Sequence, residues 1–239
     1  MPADDAVIQV ILVPAGAEYR AVSRALKQTK NGPQIIPIPA GPQAVQTFLA
    51  EAKNRAILKS GGVLLMGLGG SLSPQYDIGD GVLIEGVWDG MKANELEACG
   101  CDRPLTHWLS RRLAASVKLG NGVTCDRVIT TAAEKQQLRD RYGAAVVDME
   151  SVPLLRASPY CKIAILRVIS DDCHHDLPEI SNAIGPDGSI KPILLALNFL
   201  KRPLAAMWLI RGSLKGLKAL EKMTVTVCDL ENVQRAQGR

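Results

Sequence analysis

Residues 162–172 read KIAILRVISDD, an apolar run with one arginine inside it that stops at a serine and two aspartates. Polar and apolar residues do not alternate from Ile163 to Leu166. The segment therefore reads as a strand buried on both faces, the kind found in parallel sheets covered by helices. With CHHD at 173–176 next in the chain, the strand end carries the densest group of titratable side chains in the sequence.

Working outward, VIQVILVP (7–14) and GGVLLMGLGG (61–70) have the same continuous apolar character, and AAVVDMES (144–151) is a shorter example. QIIPIPAGP (34–42), IGDGVLIEGVW (78–88) and GNGVTCDRVIT (120–130) also read as strands. Helical spacing separates them in AGAEYRAVSRALKQ, AVQTFLAEAKNRAI, PLTHWLSRRLAASVKL and AAEKQQLRDRYG, the last of these closed by Gly143. VPLLRASPY is the crossover before the last strand. Strands alternating with helices in this way predict an α/β fold, a mostly parallel sheet with helices on both faces. At 239 residues with no internal repeat, the expectation is a single domain over 1–239.

Ligands of such sheets bind outside the carboxyl ends of the strands. Four ends carry chemistry: Glu18 after the first strand, the glycines Gly67, Gly69 and Gly70 after the third, Asp148 and Glu150 after AAVV, and Asp171 with Asp172 after ILRVIS. Each has a plainer reading. Gly69 and Gly70 make a turn as readily as a ligand cradle, and their sequence fits neither a dinucleotide fingerprint nor a Walker loop. Glu18 and Glu150 suit the first turn of a helix, where the macrodipole favours acids. Placed in one crevice, however, Glu150 could accept hydrogen bonds from vicinal sugar hydroxyls. Asp171 or Asp172, half desolvated beside another acid, could hold a proton as a general acid. His174 and His175 are adjacent and point apart, so no metal site is expected from them or from the closely spaced Cys99 and Cys101.

Composition sets the outer limits. The chain is 47% apolar and 22% charged, with a net charge of +4, which argues against disorder and gives no reason to expect nucleic acid as a partner. Six scattered cysteines and a start, MPADDAVIQV, without a basic leader point to a reducing cytoplasm. No apolar stretch approaches the roughly 20 residues of a membrane span. The positive charge is uneven: Lys191, Lys201, Arg202, Arg211, Lys215, Lys218 and Lys222 meet only Glu221 in that interval.

The segments GLGGSLSPQYDIGDGVLIEGVW, VVDMES and ILRVISDD resemble, in order and spacing, the purine nucleoside phosphorylase and methylthioadenosine/S-adenosylhomocysteine nucleosidase superfamily over about residues 7–176. The resemblance implies a three-layer αβα fold whose central mixed sheet is partly barrel-like. It also implies cleavage of a nucleoside N-glycosidic bond without a cofactor or metal, in a homo-oligomer. By the same resemblance Asp171 is the acid that protonates N7 of the leaving purine, with Ser170 beside it. Glu150 grips the ribose hydroxyls, Met149 packs on the sugar, Val128 and Ile129 hold the base, and Gly69 and Gly70 border the substrate. Glu18 falls where nucleosidases activate water, or the alignment slips by one residue onto Tyr19. Leu68 stands where relatives carry a polar residue. No arginine accompanies the glycine turn for phosphate, unless Arg20 or Arg167 replaces it, so hydrolysis is expected over phosphorolysis.

Beyond Asp171, the motifs DLP and PDG and the basic apolar tail are similar to a narrower branch, the hopanoid-associated phosphorylases. That likeness implies a lipid-linked substrate, adenosylhopane, from which adenine is removed. The tail itself, about residues 190–222, admits two readings. One is a pair of helices, split at Pro203, packed on the sheet with cationic outer faces. The other is an amphipathic segment in peripheral contact with an anionic membrane at its inner face.

Overall fold

The computed structural model describes residues 8–27, 32–59, 61–92, 98–113, 116–180, 185 and 192–237. Its strands are β1 (Ile8–Pro14), β2 (Gln34–Ile38), β3 (Gly62–Ser71), β4 (Gly81–Asp89), β5 (Cys99–Gly100), β6 (Val117–Thr124), β7 (Val146–Asp148) and β8 (Ile163–Asp171). The helices are α1 (Ala17–Leu26), α2 (Pro42–Ala50), α3 (Ala52–Ile57), α4 (Arg103–Arg112), α5 (Ala132–Tyr142), α6 (Ser151–Ala157), α7 (Pro192–Lys201) and α8 (Pro203–Gln237).

All eight strands form one mixed sheet in the order β2-β1-β3-β7-β6-β4-β5, and β8 pairs with both β3 and β4. Those two extra pairings close β3, β8, β4, β6 and β7 into a ring, the barrel-like part of the fold, from which β1 and β2 extend as a parallel flange. Pairing of β3 with β8 is parallel and that of β4 with β8 antiparallel. Every residue of β8 is buried, which accounts for a sequence that is apolar apart from Arg167 and the Ser170–Asp171 end.

Two apolar clusters cover the sheet. In one, Val22 of α1, Leu105 and Leu109 of α4 and Leu220 and Val227 of α8 pack with Ile11, Met66, Leu166 and Val168. In the other, Val45 and Leu49 of α2 and Val152 and Leu155 of α6 pack with Leu12, Leu65, Ile84 and Ile165. Burying a side chain of this size contributes about 1.5–3 kcal/mol, so the paired layers, rather than helix propensity, carry the fold.

Three local expectations change. The helix read over 44–57 is broken at Glu51, whose backbone is extended (φ −70°, ψ 126°). The helix read over 104–119 ends at Arg112, and Val117–Thr124 is strand β6; the first half of β6 is largely exposed, so its side chains carry no strand-like apolar pattern. The segment from Cys125 to Thr130 is loop, whose strand-like reading came from Val128 and Ile129. Pro203 does separate two helices, α7 and α8. Among the described residues no helix is long and apolar enough to cross a membrane. The PDG motif, residues 186–188, and Lys191 lie outside the described residues.

Candidate active site

The strand ends converge on one cleft of about 200 Å³. Glu18, Gly69, Gly70, Val128, Ile129, Met149, Glu150, Ser170 and Asp171 all border it, so residues at the ends of β1, β3, β6, β7 and β8 share one space, whereas Gly67 and Asp172 are not on its wall. Pro14, Ala40, Leu68, Arg127, Val147 and Asp148 complete its wall. Tyr19 is absent from that wall and packs instead against the apolar cluster under α1.

Glu18 reaches the cleft because β1 turns sharply into α1. Gly16, with φ 103°, adopts a conformation that favours glycine and sets Glu18 in the first helical turn. Its Oε1 accepts a 2.6 Å hydrogen bond from the Leu68 backbone N–H. Desolvation raises the carboxyl to about 7, the nearby charge of Glu150 adds to the rise, and the Leu68 hydrogen bond and Arg167 oppose it. Loss of water therefore outweighs the local donors and places this acid where it exchanges protons near neutrality.

The glycines read as a turn lie within β3, and Arg167, the one cation of β8, is 0% exposed and pairs there with Gly67. Its Nε and Nη2 reach Asp148 Oδ2 at 2.9 and 2.6 Å, and Nη2 also reaches Glu150 Oε2 at 3.0 Å. Nη1 is buried with no hydrogen-bond partner among the described residues. A Cβ at position 67 would lie 2.5 Å from that Nη1 and 2.8 Å from Glu18 Oε1, so glycine is needed there for the two groups to approach the same spot. Asp148 is further fixed by the hydroxyls of Thr124 (2.6 Å) and Ser151. Arg20 is exposed and outside the cleft wall, and Arg167 is committed to two carboxylates; neither is a ready phosphate ligand.

Glu150 caps α6 and is 5% exposed. Burial pushes its carboxyl upward against the pull of Arg167, and Oε1 accepts from the Gly41 N–H at 3.1 Å. Both oxygens keep lone pairs for a ligand hydroxyl.

The opposite end is built by a bulge. β3 and β8 pair Gly69 with Ile169 and then Gly70 with Asp171, leaving Ser170 as the extra residue. Bulges re-aim side chains, and here Ser170 and Asp171, neighbours that would otherwise face opposite ways, both border the cleft. Ser170 Oγ donates to Asp171 Oδ1 at 2.7 Å. The other oxygen, Oδ2, accepts from the ammonium of Lys135, a fully buried residue of α5. The sequence alone does not single out Lys135, because α5 is mostly polar and a lysine in it looks like a surface residue, although Leu138 and Tyr142 share its face.

The structure separates the two aspartates left open as the acid. Burial would raise Asp172, but hydrogen bonds from the His175 ring and from the backbone N–H groups of His174 and His175 outweigh it and hold the carboxyl below its usual range. Asp172 thus ties down its own loop. His175 stacks on Trp208 of α8, with ring centroids 4.8 Å apart. Among the described residues no three His, Cys, Asp or Glu side chains cluster as metal ligands.

Comparison with known proteins then places this architecture. A family model described as the phosphorylase superfamily matches residues 15–185, which contain every residue named on the cleft except Pro14. No curated protein matches the chain in sequence. Among solved structures, futalosine hydrolase of Helicobacter pylori is similar with a TM-score of 0.67 at 15% identity, covering 92% of this chain and 96% of that one. S-adenosylhomocysteine nucleosidase from Streptococcus pyogenes, in complex with 5-methylthiotubericidin, gives 0.67 at 14% identity over 95% and 97%. The 5′-methylthioadenosine/S-adenosyl homocysteine nucleosidase of Helicobacter pylori gives 0.64 at 15% over 92% and 97%. At such identities the likeness is one of fold.

Proposed function

The chain belongs to the phosphorylase superfamily, and on that premise we propose that it is a nucleosidase, a single domain that hydrolyses the N-glycosidic bond of a 5′-substituted adenosine and releases adenine. The observation that carries this reading is the Glu18 carboxyl, held at about 7 near Nη1 of Arg167, which has no hydrogen-bond partner among the described residues. A water molecule between them would lose a proton to Glu18 while its oxygen bonds to C1′. The C1′–N9 electron pair departs with the purine, and Asp171 gives its proton to N7. Glu150 accepts hydrogen bonds from the ribose hydroxyls, Met149 packs on the sugar, and Val128 and Ile129 hold the base. Positive charge growing on the sugar is stabilised by the acidic surroundings, and water attacks from the face opposite the base, as in inverting glycoside cleavage.

Phosphate suits this cleft poorly. Glu18, Asp148 and Glu150 surround the nucleophile end with three carboxylates against one arginine, and a phosphate dianion would be repelled. Incubation with adenosine and several 5′-substituted adenosines tests the reading: free adenine and ribose should form at a rate independent of phosphate. Ribose 1-phosphate as the product would make the protein a phosphorylase. Binding without cleavage of any adenosine would make it a nucleoside-binding protein. A substrate set confined to methylthioadenosine and S-adenosylhomocysteine would assign the better-known nucleosidase activity.

Within this class we propose adenosylhopane as the substrate, with ribosylhopane as product, on the cytoplasmic face of a membrane. The supporting observation is an exposed stripe on α7 and α8. Leu200 and Leu204 are 77% and 71% exposed, followed by Met207, Trp208, Ile210 and Leu214, with Lys201, Arg202, Arg211 and Lys215 also exposed. The stripe adjoins the cleft. Trp208 stacks on the loop after Asp171, and α8 presses so closely at Gly212 that a Cβ there would meet the Ser170 carbonyl. Apolar area and basic charge together suit an anionic bilayer. Flotation with anionic vesicles should succeed at low salt and weaken at high salt; absence of binding at both would remove the lipid reading and leave the nucleosidase reading intact.

A further inference from the structure

Lys135 takes no part in the bond-breaking steps above, yet it is a fully buried ammonium. Its side chain is 0% exposed, and Nζ donates to Asp171 Oδ2 and to the Asp172 carbonyl. Withdrawing an ammonium from water costs several kcal/mol, and even a buried ion pair is often no more stabilising than apolar residues of the same size. Fold stability alone is therefore a poor reason for this lysine.

Its surroundings suggest a better one. α5 begins where the base-holding loop and the acid-bearing loop meet. Thr131 caps the helix, Ala132 N–H donates to Asp176 Oδ1 at 2.9 Å, and Leu177 N–H donates to the Thr130 carbonyl at 2.7 Å. Glu134 holds Arg127, on the cleft wall, at 2.6 Å. Lys135 is the next residue, and it turns inward to the carboxyl itself. Its ammonium has only protons to give, so Oδ2 is an acceptor and Oδ1, beside Ser170 Oγ at 2.7 Å, is the oxygen left to carry a proton.

We propose that Lys135 is the positioning residue of the acid: it fixes Asp171 by Oδ2, directs the proton on Oδ1 toward the leaving purine, and neutralises the carboxylate formed when that proton departs. The inference rests on the nucleosidase reading above. In the step, the Oδ1–H bond breaks, N7–H forms, and the C1′–N9 pair leaves with adenine. Negative charge appears on Asp171 only as the transfer proceeds, next to a cation already in place, which is the arrangement that lowers a barrier rather than merely binding substrate.

A leaving group that needs no proton separates this role from a structural one. The test compares Lys135→Met with the unsubstituted protein on two substrates, a cleaved adenosine and 4-nitrophenyl β-D-ribofuranoside, whose phenolate departs unaided. Adenine release should fall by about 10²-fold or more, while nitrophenolate release stays near its original level. Adding Lys135→Met to Asp171→Asn, so that neither charge is left buried alone, should lower adenine release by less than about threefold further, because the two act as one unit. Equal loss on both substrates, undiminished adenine release, or full additivity in the double variant would overturn the proposal. If the unsubstituted protein releases nitrophenolate but never adenine, the nucleosidase reading has failed and this inference fails with it.

Discussion

The two ends of the cleft each bury a cation among carboxylates, but in different proportions. At the base end Lys135 faces Asp171, one charge against one. At the sugar end Arg167 faces Asp148 and Glu150 with Glu18 close by, one charge against three. The surplus of negative charge, joined to desolvation, leaves a carboxyl at the sugar end that takes up a proton near neutrality. On the proposed hydrolysis, water would surrender a proton at the sugar end and the purine would gain one at the base end.

The comparison breaks most visibly at Asp171. Replacing it with Asn removes the proton but keeps the shape, and adenine release should fall by about 10²–10⁴-fold, followed by absorbance or chromatography, while nucleoside binding measured by calorimetry persists. A small loss would mean that the base end donates no proton.

Arg167→Met tests the other end. Three carboxylates would be left without their shared cation, and unfolding in urea should show a loss of about 3–5 kcal/mol, the penalty for stranding buried charge. An unchanged midpoint would show that the sugar end is no electrostatic knot.

The finest effect belongs to Glu18. Its folded value of about 7 lies above the ordinary 4.5, so this group contributes stability that is fully present below about 4.5 and lost as the pH rises through 7. Glu18→Gln should remove that dependence and leave the variant the more stable of the two at pH 8, by thermal unfolding, with the advantage shrinking toward pH 5. Hydrolysis needs the ionised form, so activity of the unsubstituted protein should decline as the pH falls below about 7. A flat profile would deny Glu18 the role of base.

Much of the fold and cleft is legible in the sequence, for a physical reason. Strands buried on both faces are written as continuous apolar runs, and the rule that ligands sit at strand ends turns KIAILRVISDD, AAVVDMES and GGVLLMGLGG into a set of residues that do share one cleft. Arg167 also leaves a signal: a lone cation inside such a run must find buried partners, and the acids of VVDMES supply them. Lys135 leaves only a faint one: it shares a helix face with Leu138 and Tyr142, which pack inward, but its own charge reads as a solvated side chain. The bulge at Ser170 depends on pairing with β3, and the break at Glu51 and the early start of β6 depend on packing, so none of these can be read from the residues alone.

Within the ring, β8 is hydrogen-bonded to β3 on one edge and β4 on the other, and its residues from Ile163 to Ile169 are almost wholly shielded from solvent. Its amides between Ile163 and Ile169 have no local route of opening, and their exchange with deuterium oxide should run on the clock of global unfolding. Ligand occupancy will therefore slow these amides only through the stability it adds to the whole fold.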